Sequence, residues 1–120
     1  MQNKVLSMLG IAAKSGNVKS GEFSTEKAIK SYQAYLVIVS SEASENTKKM
    51  FRNMTEFYEV PYYEYGTKEE LGWCIGKEFR ASLAITDENL AKAVETKLLA
   101  ECERQNKTES WQNRPFYPAW

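Results

Sequence analysis

The run Tyr35-Leu36-Val37-Ile38-Val39 constrains the fold of this chain more than any other feature. It is β-prone throughout and carries no charge, so a strand formed here must be covered on both faces. The covering layers have to come from helices, and the apolar periodicity supplies them. Val5, Met8, Leu9 and Ala12 fall at helical spacing within residues 2–14, and Gly16 stops that helix. Ala28, Ile29 and Tyr32 mark a second helix over residues 21–32. Ser44 caps a third, with Met50, Phe51, Met54, Phe57 and Tyr58 on its inner face. Residues 60–65 return as a strand, with Pro61 near its start where a missing N–H does least harm. Thr67-Lys68-Glu69-Glu70 has the form of a capping box and opens a short helix that Gly76 ends. Residues 80–85 are a further strand. Thr86 or Asp87 then caps a last helix carrying Leu90, Ala93, Val94 and Leu98. Strands alternating with helices predict an α/β fold: a three-layer α/β/α sandwich, with a single mixed sheet and helices on both faces.

The chain of 120 residues, 42% apolar, is long enough for one such core. Residues 1–100 read as the domain. From about Glu101 the pattern fades, and residues 101–120 read as an extension rich in aromatics and proline. Its end, Ser110-Trp111-Gln112-Asn113-Arg114-Pro115-Phe116-Tyr117-Pro118-Ala119-Trp120, cannot continue a helix and has the composition of a docking strap or a disordered end. No apolar run reaches membrane-span length and the N-terminus lacks a signal-peptide core, which predicts a cytoplasmic protein without membrane contact.

Chemistry is bounded by what is missing. There is no histidine, so neither a Ser/His nor a Cys/His dyad can form. Cys74 and Cys102 are far apart and suit neither a disulfide framework nor a zinc site. The glycines at 16 and 21 have the spacing of a phosphate loop, but Glu22-Phe23 stands where that loop needs Lys-Ser/Thr. The expectation is a non-catalytic protein with no metal, cofactor or small-molecule substrate.

Binding is better supported. Net charge is zero, yet residues 1–52 hold eight Lys/Arg against four Glu, while residues 53–120 hold eight against twelve acidic groups. If the basic groups of the first half share a face, that face suits phosphate. Gly16 and Gly21 bracket a basic segment and a helix opens directly after them. The first N–H groups of a helix lack partners inside it and form an anion site, with Lys19, Lys27 and Lys30 near by to supply charge.

Three sets of residues carry a family resemblance. They are Leu9-Gly10-Ile11-Ala12-Ala13-Lys14-Ser15-Gly16 with Ser20-Gly21-Glu22; Ser41-Glu42-Ala43-Ser44-Glu45-Asn46-Thr47-Lys48-Lys49; and Thr67-Lys68-Glu69-Glu70-Leu71-Gly72, Ile75-Gly76-Lys77-Glu78 and Ala84-Ile85-Thr86-Asp87. In collinear order over residues 3–98 the chain resembles the YlxQ-type bacterial members of the L-seven-Ae / L-thirty-e ribosomal protein superfamily, whose best-known members bind kink-turn RNA. The resemblance implies an α/β/α sandwich and a structured RNA partner, ribosomal or otherwise kinked. It also implies an RNA surface from three segments: the glycine-rich start of the second helix, the loop after the central strand, and the loop before the last strand. Here these hold Lys19, Ser20, Gly21, Glu22, Phe23, Ser24, Lys27 and Lys30; Ser41 and Glu42; and Lys77, Glu78, Phe79 and Arg80. Phe79, flanked by basic residues, is suited either to packing on an unstacked base or to turning inward as core.

The chain departs from the family pattern at one place. Kink-turn binders typically carry an Asn-Glu pair just after the glycine to read tandem sheared G·A pairs, and aligned through Lys27 those positions are Phe23 and Ser24. A phenyl ring has no donor or acceptor for a base edge, and Ser24 lacks the length and charge of glutamate. Glu22 in the first helical turn also repels phosphate. General RNA binding survives these changes, and they leave open whether the standard kink-turn recognition does. A protein-interaction module that keeps the fold but has lost the RNA code is therefore the alternative, favoured by Phe23 and the aromatic tail. Lys48, Lys49 and Arg52 share one helix face and form a second basic cluster, which suits a solvated surface first and an RNA-backbone contact as the alternative.

Overall fold

The computed structural model describes residues 4–105, and its centre is the predicted strand. Nine elements follow in order: α1 (Lys4–Lys14), β1 (Val18–Ser20), α2 (Glu22–Lys30), β2 (Leu36–Val39), α3 (Glu45–Tyr58), β3 (Tyr62–Glu64), α4 (Lys68–Cys74), β4 (Ser82–Ile85) and α5 (Glu88–Gln105). The strands form one mixed sheet in the order β1-β4-β2-β3. β4 lies antiparallel between β1 and β2, and β3 pairs parallel with β2.

Side-chain alternation divides β2 and β4 between two cores, as a strand with both faces covered requires. Leu36, Ile38, Leu83 and Ile85 point to one face and pack with Val5 and Leu9 of α1, Leu71 of α4, and Val94 and Leu98 of α5. Val37, Val39 and Ala84 point to the other and pack with Ala28 and Ile29 of α2 and Phe51 of α3. The three-layer sandwich is therefore present, with α1, α4 and α5 on one side and α2 and α3 on the other.

The caps follow the sequence closely. The Ser44 hydroxyl accepts from the Thr47 N–H, and Thr67 and Glu70 form both halves of the capping box. Asp87, rather than Thr86, caps α5 through its carboxylate and the Leu90 N–H at 2.9 Å. Gly76, at φ 80°, ends α4 with paired bonds from the N–H groups of Gly76 and Lys77 to the carbonyls of Trp73 and Gly72.

Three expectations are corrected. Phe57 is not on the inner face of α3; it is 77% exposed. Six helical steps from buried Phe51 carry it to the far side, and the inward position four steps on belongs to Thr55, whose hydroxyl donates to the Phe51 carbonyl. Tyr32 does not continue α2. The helix ends at Lys30, and Tyr32 takes a left-handed backbone (φ 61°) with its exposed ring edge-on to Tyr58 at 5.3 Å. Finally, residues 18–20, placed by the sequence reading only in the basic segment between Gly16 and Gly21, form the edge strand β1. The extension proposed from residue 101 begins inside α5, and residues 106–120 lie outside the described part of the chain.

Candidate nucleic-acid interface

The sheet topology brings the three sequence-predicted segments to one end of the molecule. β1, β2 and β3 all finish there, and antiparallel β4 begins there. A hydrogen-bond network then ties their loops together. Gly21 N–H donates to the Ser82 carbonyl at 3.0 Å, and Ser40 N–H donates to the Ala81 carbonyl at 2.8 Å. Arg80 spans the group: its N–H donates to the Lys68 carbonyl and its Nε to the Ser20 Oγ at 3.1 Å. The turn before α4, which the sequence did not single out, is a fourth member. The Gly66 carbonyl accepts from the hydroxyls of Ser40 and Ser41, and Glu42 Oε1 accepts from the Lys68 N–H at 3.0 Å.

These contacts give the predicted residues distinct roles. Ser41, Glu42 and Arg80 hold loop to loop, and Glu42 satisfies the first N–H of α4. Ser20 receives Arg80. Gly21 precedes α2 at φ 92°, a conformation costly for any residue with a Cβ, and no side chain caps the helix start. The N–H groups of Glu22, Phe23 and Ser24 therefore open the helix without an intrahelical acceptor. Phe23 is 76% exposed beside them, and Ser24 is half-buried.

The basic groups are unequal. Lys19 pairs in register with Ala84, which places it on the sheet face that α2 covers, and its side chain is exposed. Lys27 is exposed about 8 Å along α2 from its start and makes no ion pair among the described residues. Lys30 lies at the far end of α2 and is tied to Glu26 at 2.8 Å, a bond that raises the lysine's pKa. Only Lys27 of the two thus presents an uncompensated charge, from the last turn of α2. In the second basic cluster, Lys48 pairs with Glu45 and Arg52 with Glu64.

Phe79 faces solvent, 59% exposed, which decides between its two predicted orientations. It lines a shallow groove of about 570 Å³ with Glu69, Glu70, Trp73, Lys77 and Glu78. Trp73 is the residue that sequence reasoning missed. It sits in a helix where an inward aromatic is the ordinary expectation, yet it is 82% exposed. Its position two residues beyond core Leu71, on the opposite side of a helix, was the available signal. Among the described residues no group of three potential ligands is placed to hold a metal ion. The Cys74 thiol is pushed up to about 11 by burial and donates to the Leu71 carbonyl, so it is a packed thiol with little thiolate character.

Comparison with known proteins places this architecture. The sequence model of the Ribosomal protein L7Ae/L30e/S12e/Gadd45 family matches residues 3–95. The chain is 38% identical over 84 residues to the RNA-binding protein YlxQ of Bacillus subtilis (strain 168), covering 70% of this chain and 84% of that protein. It is 36% identical over 100 residues to the RNA-binding protein YlxQ of Enterococcus faecium, covering 83% of this chain and 94% of the relative. Among solved structures, a Bacillus halodurans protein described as of unknown function superposes with a TM-score of 0.79 at 32% identity, over 81% of this chain and 98% of that one. The Giardia lamblia 15.5kD RNA binding protein superposes with a TM-score of 0.69 at 20% identity, over 83% of this chain and 92% of that one, a likeness of fold. The family match over most of the chain and the two relatives agree: the chain belongs to the ribosomal protein L7Ae/L30e/S12e/Gadd45 family, as a YlxQ-type member.

Proposed function

We propose that the chain is a non-catalytic RNA-binding protein of the cytoplasm that recognises structured RNA of kinked or ribosomal type through the end of the sheet where β1, β2 and β3 finish. The observation that carries this reading is the meeting there of the uncapped start of α2 and the loop of exposed Phe79, with the unpaired Lys27 about 8 Å along the same helix. Phosphate meets the helix N–H groups and Lys27. Phe79 offers a face to an unstacked base. Ser20, Ser41, Glu42 and Arg80 set the spacing of these contacts. The names of the two YlxQ relatives support RNA as the partner, and the described residues include no helix long and apolar enough to cross a membrane.

Phe23 and Ser24 point to recognition by backbone and shape, without the family's base contacts. Binding to a kink-turn duplex and to the same duplex without its G·A pairs, across a salt series, tests this. Equal affinities with steep salt dependence are expected, and Lys27→Glu lowers the slope of log K against log salt by about one. Discrimination between the duplexes refutes the shape-only reading. No binding to either at low salt moves the function to the protein-interaction reading, which the exposure of Phe23, Trp73 and Phe79 favours.

A further inference from the structure

The groove beside Phe79 has a character that RNA does not match. Trp73 and Phe79 give it an apolar floor, while Glu69, Glu70 and Glu78 outnumber Lys77 around it. A polyanion is repelled by such a rim, and a cation flanked by aromatic or proline residues is attracted, by charge and by the aromatic faces. The chain itself contains such a segment. Arg114-Pro115-Phe116-Tyr117-Pro118 lies in residues 106–120, beyond the described part.

We infer that the groove of Trp73 and Phe79 is the docking seat of the chain's own segment 114–118, with Arg114 facing the glutamates. The reach is sufficient. α5 follows β4 and packs back over the sheet through Ala91, Val94 and Leu98, so its last turns lie toward the end where the loop of residues 76–81 enters β4. α1 touches both α5 and α4, so the seat lies about two helix spacings, or about 20 Å, from Gln105. The nine residues from Gln105 to Arg114 span up to about 30 Å. A strap seated there covers Phe79 and Lys77, and so competes with RNA at one edge of the proposed interface.

The test uses the full chain. Amide and indole N–H resonances of Trp73 and Phe79 are compared between the parent and Phe116→Ala/Tyr117→Ala, whose substitutions lie outside the core. Movement of both, independent of protein concentration, is expected. Glu78→Lys moves them likewise, and adding Arg114→Glu returns them toward the parent positions. At an effective concentration of about 1 mM and a segment affinity of about 0.1–1 mM, releasing the strap raises RNA affinity by about 2- to 10-fold. Unmoved resonances overturn the inference. So does a shift that grows with protein concentration, which puts the segment on a second copy. Weaker RNA binding by the double alanine variant with unmoved resonances also overturns it, because the aromatic residues then contact RNA. The resonance comparison needs no RNA, so failure of the functional reading stays distinguishable from failure of this one.

Discussion

Gly72 is where the packing of the fold and the shape of the interface meet most tightly. A Cβ built there falls 2.6 Å from the Glu78 carbonyl oxygen and 2.7 Å from the Phe79 nitrogen, both backbone atoms. Ordinary contact starts at 3.4 Å, so Gly72→Ala forces the 78–79 peptide outward by about 0.8 Å. That loop is tethered on both sides, by Lys77 N–H on the Gly72 carbonyl and by Arg80 N–H on the Lys68 carbonyl. Alanine gains about 1 kcal/mol of helix propensity. Against this stand about 1–3 kcal/mol of overpacking and about 1 kcal/mol for a loosened tether. The net is a destabilisation of about 1–3 kcal/mol, or roughly 4–15 °C in Tm for a domain of this size. Because Phe79 moves with the loop, RNA affinity falls by about 3- to 10-fold while its salt slope stays fixed, since no phosphate-contacting lysine is lost. Gly10→Ala is the control. Its Cβ meets the Cys74 carbonyl at 3.1 Å, so a small adjustment and the propensity gain roughly cancel. Urea unfolding and fluorescence anisotropy on both variants decide the matter. A Gly72→Ala protein as stable as its parent, with unchanged RNA affinity, refutes the reasoning.

Other perturbations follow from single features. Glu59 ends α3 in a left-handed conformation (φ 59°), and its negative charge lies at the negative end of the helix dipole; Glu59→Gly should stabilise the fold by about 1 kcal/mol in urea titrations. The Thr25 hydroxyl is fully buried without a hydrogen-bond partner among the described residues, so Thr25→Val, which keeps the shape, should raise stability by about 1 kcal/mol. With its thiol held near 11 rather than 9, Cys74 should react with iodoacetamide at pH 8 about 100-fold more slowly than a free thiol, followed by peptide mass spectrometry. The folded state favours the protonated thiol, so the corresponding stability is complete below pH 9 and is lost as pH rises toward 11. Stability measured at pH 8 and pH 10 should therefore fall less in Cys74→Ala than in the parent.

The sandwich was legible because β2 has no polar position and three helix starts carry side-chain caps that work alone. Ser44, Thr67 and Asp87 need only their own next turn. β1 was not legible because its three residues carry no alternation of their own. They are a strand only through β4, about 65 residues away in sequence. Phe57 and Trp73 misled or escaped for a related reason: the apolar character of each ring suggests burial, whereas its helical spacing from core Phe51 or Leu71 turns it to solvent. At the candidate interface, the sequence indicated which loops meet but not the division of labour among them. That Arg80 and Glu42 are struts, and that Lys30 is neutralised while Lys27 is not, depends on distances between segments that no spacing along the chain encodes.

The pairing of β1 with β4 acts as a ruler. Val18 opposite Ile85, Lys19 opposite Ala84 and Ser20 opposite Leu83 fix how far the start of α2 stands from the loop that carries Phe79. A slip of one residue would turn Lys19 to the other face of the sheet, and a slip of two would restore the faces but move α2 by about 7 Å relative to that loop. With a slip of two, the chain would still bury the same kinds of side chain. It would nonetheless measure out the wrong interval between phosphate and base, so length changes in these two short strands should abolish RNA binding before they abolish folding.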